Sequence, residues 1–265
     1  MILNEENYFS EAANMEYMSV SQYKSFCGSY GKMWCEARAM AELRGEWNPP
    51  PSTAMMVGSY VDRYFEGTLD RFKEEHPEIF RRDGELKAEY KGAEKIIQRV
   101  ERDDVFMKYM SGQKQVIMTG EIEGIPWKIK IDSYLEGKAI VDLKVMESIT
   151  KLKWVKDIGY LDFVRYWGYD TQGAVYQEIV RQNTGKRLPF YIAGVTKEAT
   201  PNLEVIFVNN VYLDEALNKV RSSAKRIADL KAGKVQPERC ECCDYCRETK
   251  VLKGPIGIQD LVAEF

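Results

Sequence analysis

The spacing of apolar and polar positions changes near residue 114 and divides the chain in two. Before that point the period is helical. Ser21 to Leu43 has few breakers apart from Gly28 and Gly31, and predicts a long helix. Pro49, Pro50 and Pro51 form a stiff break. Thr53 can then cap a helix through Met55, Tyr60, Tyr64 and Phe65. Lys87 to Val105 predicts another, with Ala93, Ile96, Ile97 and Val100 on one face.

After Lys114 the period shortens to two. Val116 to Met118 reads as a strand, Glu123-Gly124 as a turn, and Trp127 to Asp132 as an alternating strand. Glu136-Gly137-Lys138 is a second turn. The strand after it, Ala139 to Val145, is apolar at most positions and therefore central. A helix over Phe163 to Asn183, strands over Phe190 to Thr196 and Glu204 to Asn209, and a helix over Asp214 to Lys231 complete the pattern. Leu213, Leu217, Val220, Ile227 and Leu230 form the stripe of that last helix. The expected architecture is one α/β domain over 1–265. A mainly helical annex (1–112) precedes an α/β core (113–232), whose mixed central sheet carries an antiparallel meander flanked by helices. A cysteine-rich segment (233–265) packs back on it.

Composition narrows the chemistry. The 265 residues are 45% hydrophobic and 30% charged, with 38 basic and 41 acidic side chains and a net charge of −3. That suits a globular core and leaves any nucleic-acid binding to local basic patches. No apolar run approaches the roughly 20 residues of a spanning helix. Residues 1–16 carry Glu5, Glu6 and Glu11 and no basic apolar leader, which predicts a cytoplasmic chain. The single histidine, His76, precedes Pro77 and reads as a loop residue. Sites built from several histidines are excluded. Four of the six cysteines, Cys240, Cys242, Cys243 and Cys246, fall within seven residues. In a reducing compartment such spacing favours metal or cluster ligation over disulfides.

The stretch from Asp132 to Lys144 holds the candidate chemistry. Asp142 and Lys144 are two apart on a strand and share a face. Asp132 joins them if the turn is the three residues Glu136 to Lys138, because Leu135 then pairs with Ala139 and Asp132 faces Asp142. A two-residue turn points Asp132 away. In the first register two carboxylates stand about 5 Å apart and repel unless a cation sits between them. Lys144 is one such cation. A hard divalent ion is another, and it would lower the pKa of a bound water and polarise a phosphodiester. The competing reading is a cross-strand salt bridge on a solvated face. The apolar neighbours Ile140, Val141, Leu143 and Val145 argue for burial instead. Glu121, beside the Glu123-Gly124 turn, is expected to be a surface carboxylate.

Asp132, nine residues, and then Asp142-Leu143-Lys144 resembles the signature of PD-(D/E)xK nucleases. Gln172-Gly-Ala-Val-Tyr176, one helical turn end to end, resembles the Q-x-x-x-Y motif of the RecB-like and lambda-exonuclease-like members. Ser19-Val-Ser21, Cys35-Glu36-Ala37 and Gly58-Ser-Tyr-Val-Asp62 resemble the opening segment and helix motif of the same group. Together these motifs extend over residues 19–246 and are most similar to the RecE-like, phage-type exonucleases. Asp62 stands where many members carry His, Ile131 precedes Asp132 in place of Pro, and Val145 stands where Thr or Ser is frequent.

The resemblance implies a restriction-endonuclease-like core and a Mg²⁺- or Mn²⁺-dependent exonuclease that degrades linear double-stranded DNA from ends in phage or prophage recombination. In it Asp132, Asp142 and the Leu143 carbonyl hold the metal, Asp62 completes the shell, Lys144 serves the attacking water, and Gln172 and Tyr176 position the strand. It also implies a single-strand annealing partner and a ring-like homo-oligomer. Two alternatives stay open: an endonuclease or CRISPR-adaptation-type nuclease of the same superfamily, and a non-catalytic cysteine-metal DNA-binding or assembly module.

Cys240-x-x-Cys243-x-x-Cys246 has ligand spacing but supplies three thiolates. A zinc ion or an iron–sulfur cluster takes four. Cys35 or Cys27 can supply the fourth from the other end of the chain. Several RecB-like nucleases, which this pattern resembles, clasp a [4Fe-4S] cluster with one N-terminal and three C-terminal cysteines, and Cys35 is the better match there. Lys151, Lys153 and Lys156 interleave with Trp154 directly after the motif strand, a pattern suited to phosphate contacts plus base stacking. Lys219, Arg221, Lys225, Arg226 and Lys231 form a second basic set on the last helix, more simply read as a solvated face.

Overall fold

The computed structural model describes residues 1–252 and 254–258. The end of the cysteine-rich segment, 259–265, lies outside the described residues. Seven helices precede the first strand: α1 (Glu11–Glu16), α2 (Val20–Cys27), α3 (Glu36–Leu43), α4 (Thr53–Glu66), α5 (Leu69–Glu75), α6 (Gly92–Glu101) and α7 (Asp104–Tyr109). Six strands follow: β1 (Val116–Ile122), β2 (Ile125–Ile131), β3 (Ser133–Leu135), β4 (Ala139–Met146), β5 (Lys153–Val155) and β6 (Gly159–Leu161). Helices α8 (Phe163–Tyr166) and α9 (Tyr169–Thr184) lead to strands β7 (Phe190–Thr196) and β8 (Leu203–Phe207). Helices α10 (Asn210–Lys231) and α11 (Asp244–Glu248) close the described chain. None of these helices is long and apolar enough to cross a membrane.

The central sheet is mixed, in the order β3-β4-β7-β8. β4 lies parallel to β7, while β3 and β8 run antiparallel to their neighbours. β4 is an inner strand, as its apolar run implied. Its alternation sends Ala139, Val141 and Leu143 into a core with Met56, Val57, Tyr60 and Val61 of α4 and Ile96, Ile97 and Val100 of α6. Ile140 and Met146 point the other way, into a core built with α9, α10 and the apolar side of β2. The sheet is thus covered by helices on both faces, and Asp142 and Lys144 share the α9 side with Ile140.

Several predicted helices are divided, and each break has a local cause. The stretch Ser21–Leu43 is two helices, because Gly28 turns the chain at φ +76°, where a Cβ would lie 2.8 Å from the Lys32 carbonyl. Asp103 ends the Lys87–Val105 segment by accepting from the Phe106 amide and starting α7. Gly168 at φ +65° separates α8 from α9. Ser52, not Thr53, caps α4, and Asn209 starts α10 earlier than predicted. Residues 153–161 form a small hairpin that no periodicity announced. β1 and β2 form their own two-stranded ladder, closed by Glu123 and Gly124 at positive φ as a tight hairpin requires.

Close approach of α9 to β7 depends on Gly173. A Cβ there would meet the Phe190 ring at 2.5 Å and the Leu213 side chain at 2.9 Å. Gly173→Ala is therefore expected to destabilise the fold by about 1–3 kcal/mol through overpacking. Urea unfolding would read this as a lower midpoint at unchanged slope.

Candidate active site and cysteine centre

β3 and β4 pair through Ser133–Val141, Tyr134–Ile140 and Leu135–Ala139. The three-residue turn is the one formed, and the register carries Asp132 opposite Asp142. Asp132 sits at a bend between β2 and β3, free of the ladder, and its Oδ2 accepts from the Leu143 amide at 2.9 Å. Asp142 is 2% exposed. Its Oδ2 pairs with Lys144 Nζ at 2.5 Å, and its Oδ1 accepts from Gln172 Nε2 at 2.6 Å. Lys144 Nζ also donates to the Leu143 carbonyl at 3.3 Å and lies 5.5 Å from the Tyr169 ring centre. Tyr176, one turn beyond Gln172 on α9, donates to the Lys130 carbonyl at 3.0 Å and ties the helix to β2.

Asp62 reaches the same cavity from α4. Its Oδ1 is buried without a hydrogen-bond partner. Burial first, and then the Asp142 charge, push the Asp132 carboxyl up to about 7. Burial and the Asp132 charge likewise raise Asp62. Burial acts to lower Lys144, but the charges of Asp142 and Asp132 outweigh it and hold its ammonium above the usual range. Three carboxyl groups thus crowd around one ammonium. The donors Asp62, Asp132, Asp142 and the Leu143 carbonyl are all hard oxygens, so the residues fit a divalent cation of the Mg²⁺ or Mn²⁺ kind.

Asp62, Asp132, Lys144, Gln172 and Tyr176 line a cleft of ≈ 680 Å³. Its walls carry features the sequence pattern did not single out. Lys24 of α2 faces the cleft, and burial together with the Lys144 charge lowers its pKa to about 8. The segment before α1 folds across β2, where Lys128 donates to the Tyr8 carbonyl and sits 4.7 Å from that ring. The spacing of Ser21, Lys24 and Ser25 on one helix face was the available signal for α2. Nothing local announced the Tyr8 segment, because its contact is with a strand 120 residues away.

Lys151, Lys153 and Trp154 do not line this cleft. The two lysines pair with Glu147 at 2.7 and 2.9 Å. Trp154 is 65% exposed and meets the equally exposed Tyr160 edge-on at 5.1 Å. His76 bonds Glu78 beside the cap of α5, and Glu121 is exposed.

The Sγ atoms of Cys35, Cys240, Cys243 and Cys246 lie within 4.8 Å of one another. Cys35–Cys246 is 3.6 Å and Cys240–Cys246 is 3.9 Å. Cys27 stays outside the group, and Cys242 turns to Met33. Buried Glu36 holds the two chain regions together: Arg226 donates to it at 2.8 Å, and so does the Glu238 amide. Four thiolates so placed can hold a metal.

A layered α/β fold with this acid–acid–lysine row defines the class: a PD-(D/E)xK-type nuclease core. Residues 19–249 match the family described as a PDDEXK-like domain of unknown function, and the chain belongs to that family. The chain is 64% identical to a protein from Eubacterium rectale described as a "Putative exonuclease". That crystal structure superposes with a TM-score of 0.97 over 100% of both chains. No curated protein matches the chain.

The raised Asp132 carboxyl has a definite sign. In the unfolded chain it titrates near 3.9. Between about pH 4 and pH 7 the native state keeps a proton that the unfolded state loses, so this group lowers the stability of the metal-free protein as pH rises. Asp132→Asn is expected to raise the melting temperature at pH 8, with the gain shrinking as pH falls towards 4. Added Mg²⁺ should stabilise the wild type and not the variant in the same thermal scan.

Proposed function

We propose that this chain is a Mg²⁺- or Mn²⁺-dependent deoxyribonuclease that degrades linear double-stranded DNA from its ends. The observation that carries the proposal is the buried row of Asp132 and Asp142 with Lys144 on Asp142, set in a cleft whose walls are edged by lysines. The description of the Eubacterium rectale protein as an exonuclease supports the choice of ends. The setting in phage-type recombination, the single-strand annealing partner and the ring-like oligomer rest on the motif resemblance.

Asp132, Asp142 and the Leu143 carbonyl, with Asp62 beside them, would hold a divalent ion, which when bound would supply Lewis acidity for a phosphodiester and a water. The protein's own groups do the rest. Lys144, kept as an ammonium by the neighbouring carboxylates, donates a hydrogen bond that orients the attacking water and sets positive charge beside the oxyanion that develops at phosphorus. Gln172 donates to Oδ1 of Asp142 and fixes the carboxylate whose Oδ2 pairs with Lys144. Tyr176 holds α9 against β2 and so sets the position of Gln172. The Trp154–Tyr160 pair offers exposed rings for DNA outside the cleft, with Lys153 and Lys156 on the same hairpin and Lys151 just before it.

With Mg²⁺, purified protein is expected to degrade linear duplex and to leave a covalently closed circle intact. Lys144→Ala should slow it by about 10²-fold or more. Cutting of the circle would favour an endonuclease. Activity on neither DNA would favour a non-catalytic module.

We further infer a metal centre at the four cysteines. A single tetrahedral ion with metal–sulfur bonds near 2.3 Å spaces its sulfurs by about 3.8 Å, close to the Cys35–Cys246 and Cys240–Cys246 separations of 3.6 and 3.9 Å. An iron–sulfur cluster is the other four-thiolate centre. Protein prepared without oxygen should contain either one zinc per chain, colourless, or iron with visible absorption. Cys246→Ser should lose the metal and melt lower. Metal-free wild-type protein of unchanged stability would contradict the centre.

A further inference from the structure

Gln115 stands where the sheet pattern fails. Val116 pairs with Ile131 and Gln113 with Tyr134, and this shared register sets Gln115 across from Asp132. Both residues fall outside the ladder. Gln115 holds φ +54°, a left-handed backbone that a glutamine adopts at a cost. It is 8% exposed, yet neither Oε1 nor Nε2 has a hydrogen-bond partner. A buried amide with both ends unpaired is rare in a folded protein, and here strain is added to it.

The surroundings explain what the amide faces. With Asp62, Glu66, Asp132 and Leu143 it lines a cavity of ≈ 10 Å³, on the order of the room one water needs. It also lines the main cleft. The register thus strings Gln115, Asp132 and Asp142 in one row across three strands, and the unpartnered Oδ1 of Asp62 opens on the same cavity.

We propose that Gln115 is a positioning residue of the metal site, holding a water of the cation's shell together with Asp62. Mg²⁺ keeps several of its waters when it binds protein carboxylates. The Gln115 carbonyl can accept from such a water, and its NH₂ can donate to a carboxylate or to a phosphate oxygen of the substrate. The strain and the unpaired amide are then the cost of an acceptor aimed at the ion's outer coordination. Outer contacts of this kind carry about 10- to 100-fold of metal affinity or activity in other sites. This inference rests on the metal-dependent reading given above.

The test is Mn²⁺ binding by isothermal calorimetry, with no DNA present, for wild type, Gln115→Leu, Gln115→Gly and Gln115→Glu. Leucine keeps the bulk and removes the polar atoms, and glycine accepts the positive φ without strain. Both are expected to bind Mn²⁺ about tenfold more weakly or worse. The leucine variant should also melt higher without metal, having lost an unpaired buried amide. Gln115→Glu keeps an acceptor oxygen and should bind at least as tightly as wild type. Wild-type affinity in the leucine or glycine variant, beside normal binding by the wild type, overturns the proposal. A wild type that binds no Mn²⁺ removes the metal-dependent reading and this inference with it.

Discussion

Two like charges facing each other inside a sheet are the constraint on which this molecule turns. Asp132 and Asp142 occupy opposed positions of the β3–β4 register, Asp142 buried and Asp132 partly so. Without a cation such a pair can persist only by holding protons or by leaning on Lys144: burial and the facing charge raise the Asp132 pKa, and Lys144 pairs with Asp142. The strand breaks at Asp132, its carboxylate turns to the Leu143 amide, and the amine of Lys144 settles between Asp142 and the Leu143 carbonyl. A well-paired apolar row at the same place would be more stable and would do nothing. The site is costly in the metal-free protein and well matched to a divalent ion.

The remaining architecture keeps that row in place. α9 presses against β7 through Gly173, which brings Gln172 onto Asp142 and Tyr176 onto β2. α4 covers the opposite face with Met56, Val57, Tyr60 and Val61, and from its edge delivers Asp62. Glu36 and the four cysteines join the α3 region to the end of the chain. This clasp fixes the α3 region that supplies part of the cleft wall.

Much of this was legible because it is local. The three-residue turn at Glu136–Lys138 sets the register, and the register alone decides that Asp132 faces Asp142. The i, i+4 spacing of Gln172 and Tyr176 fixes their common face. The choice of Cys35 over Cys27 came from motif context, and the geometry brings Cys35 to the other three. Helix breaks at Gly28 and Gly168 were less legible, since a glycine inside a helical pattern is tolerated at a cost of about 1 kcal/mol and need not end it. Gln115 and the Tyr8 segment were invisible for a different reason. What makes them notable is a contact or a missing partner set by residues distant in sequence.

The most direct measurement is a crystal structure grown with Mn²⁺ and read by anomalous scattering. An anomalous peak bound by Asp132, Asp142 and the Leu143 carbonyl, with Lys144 drawn away from Asp142, is the expected result. Full Mn²⁺ occupancy elsewhere, with the Lys144–Asp142 pair intact at 2.5 Å, would contradict the metal-dependent site.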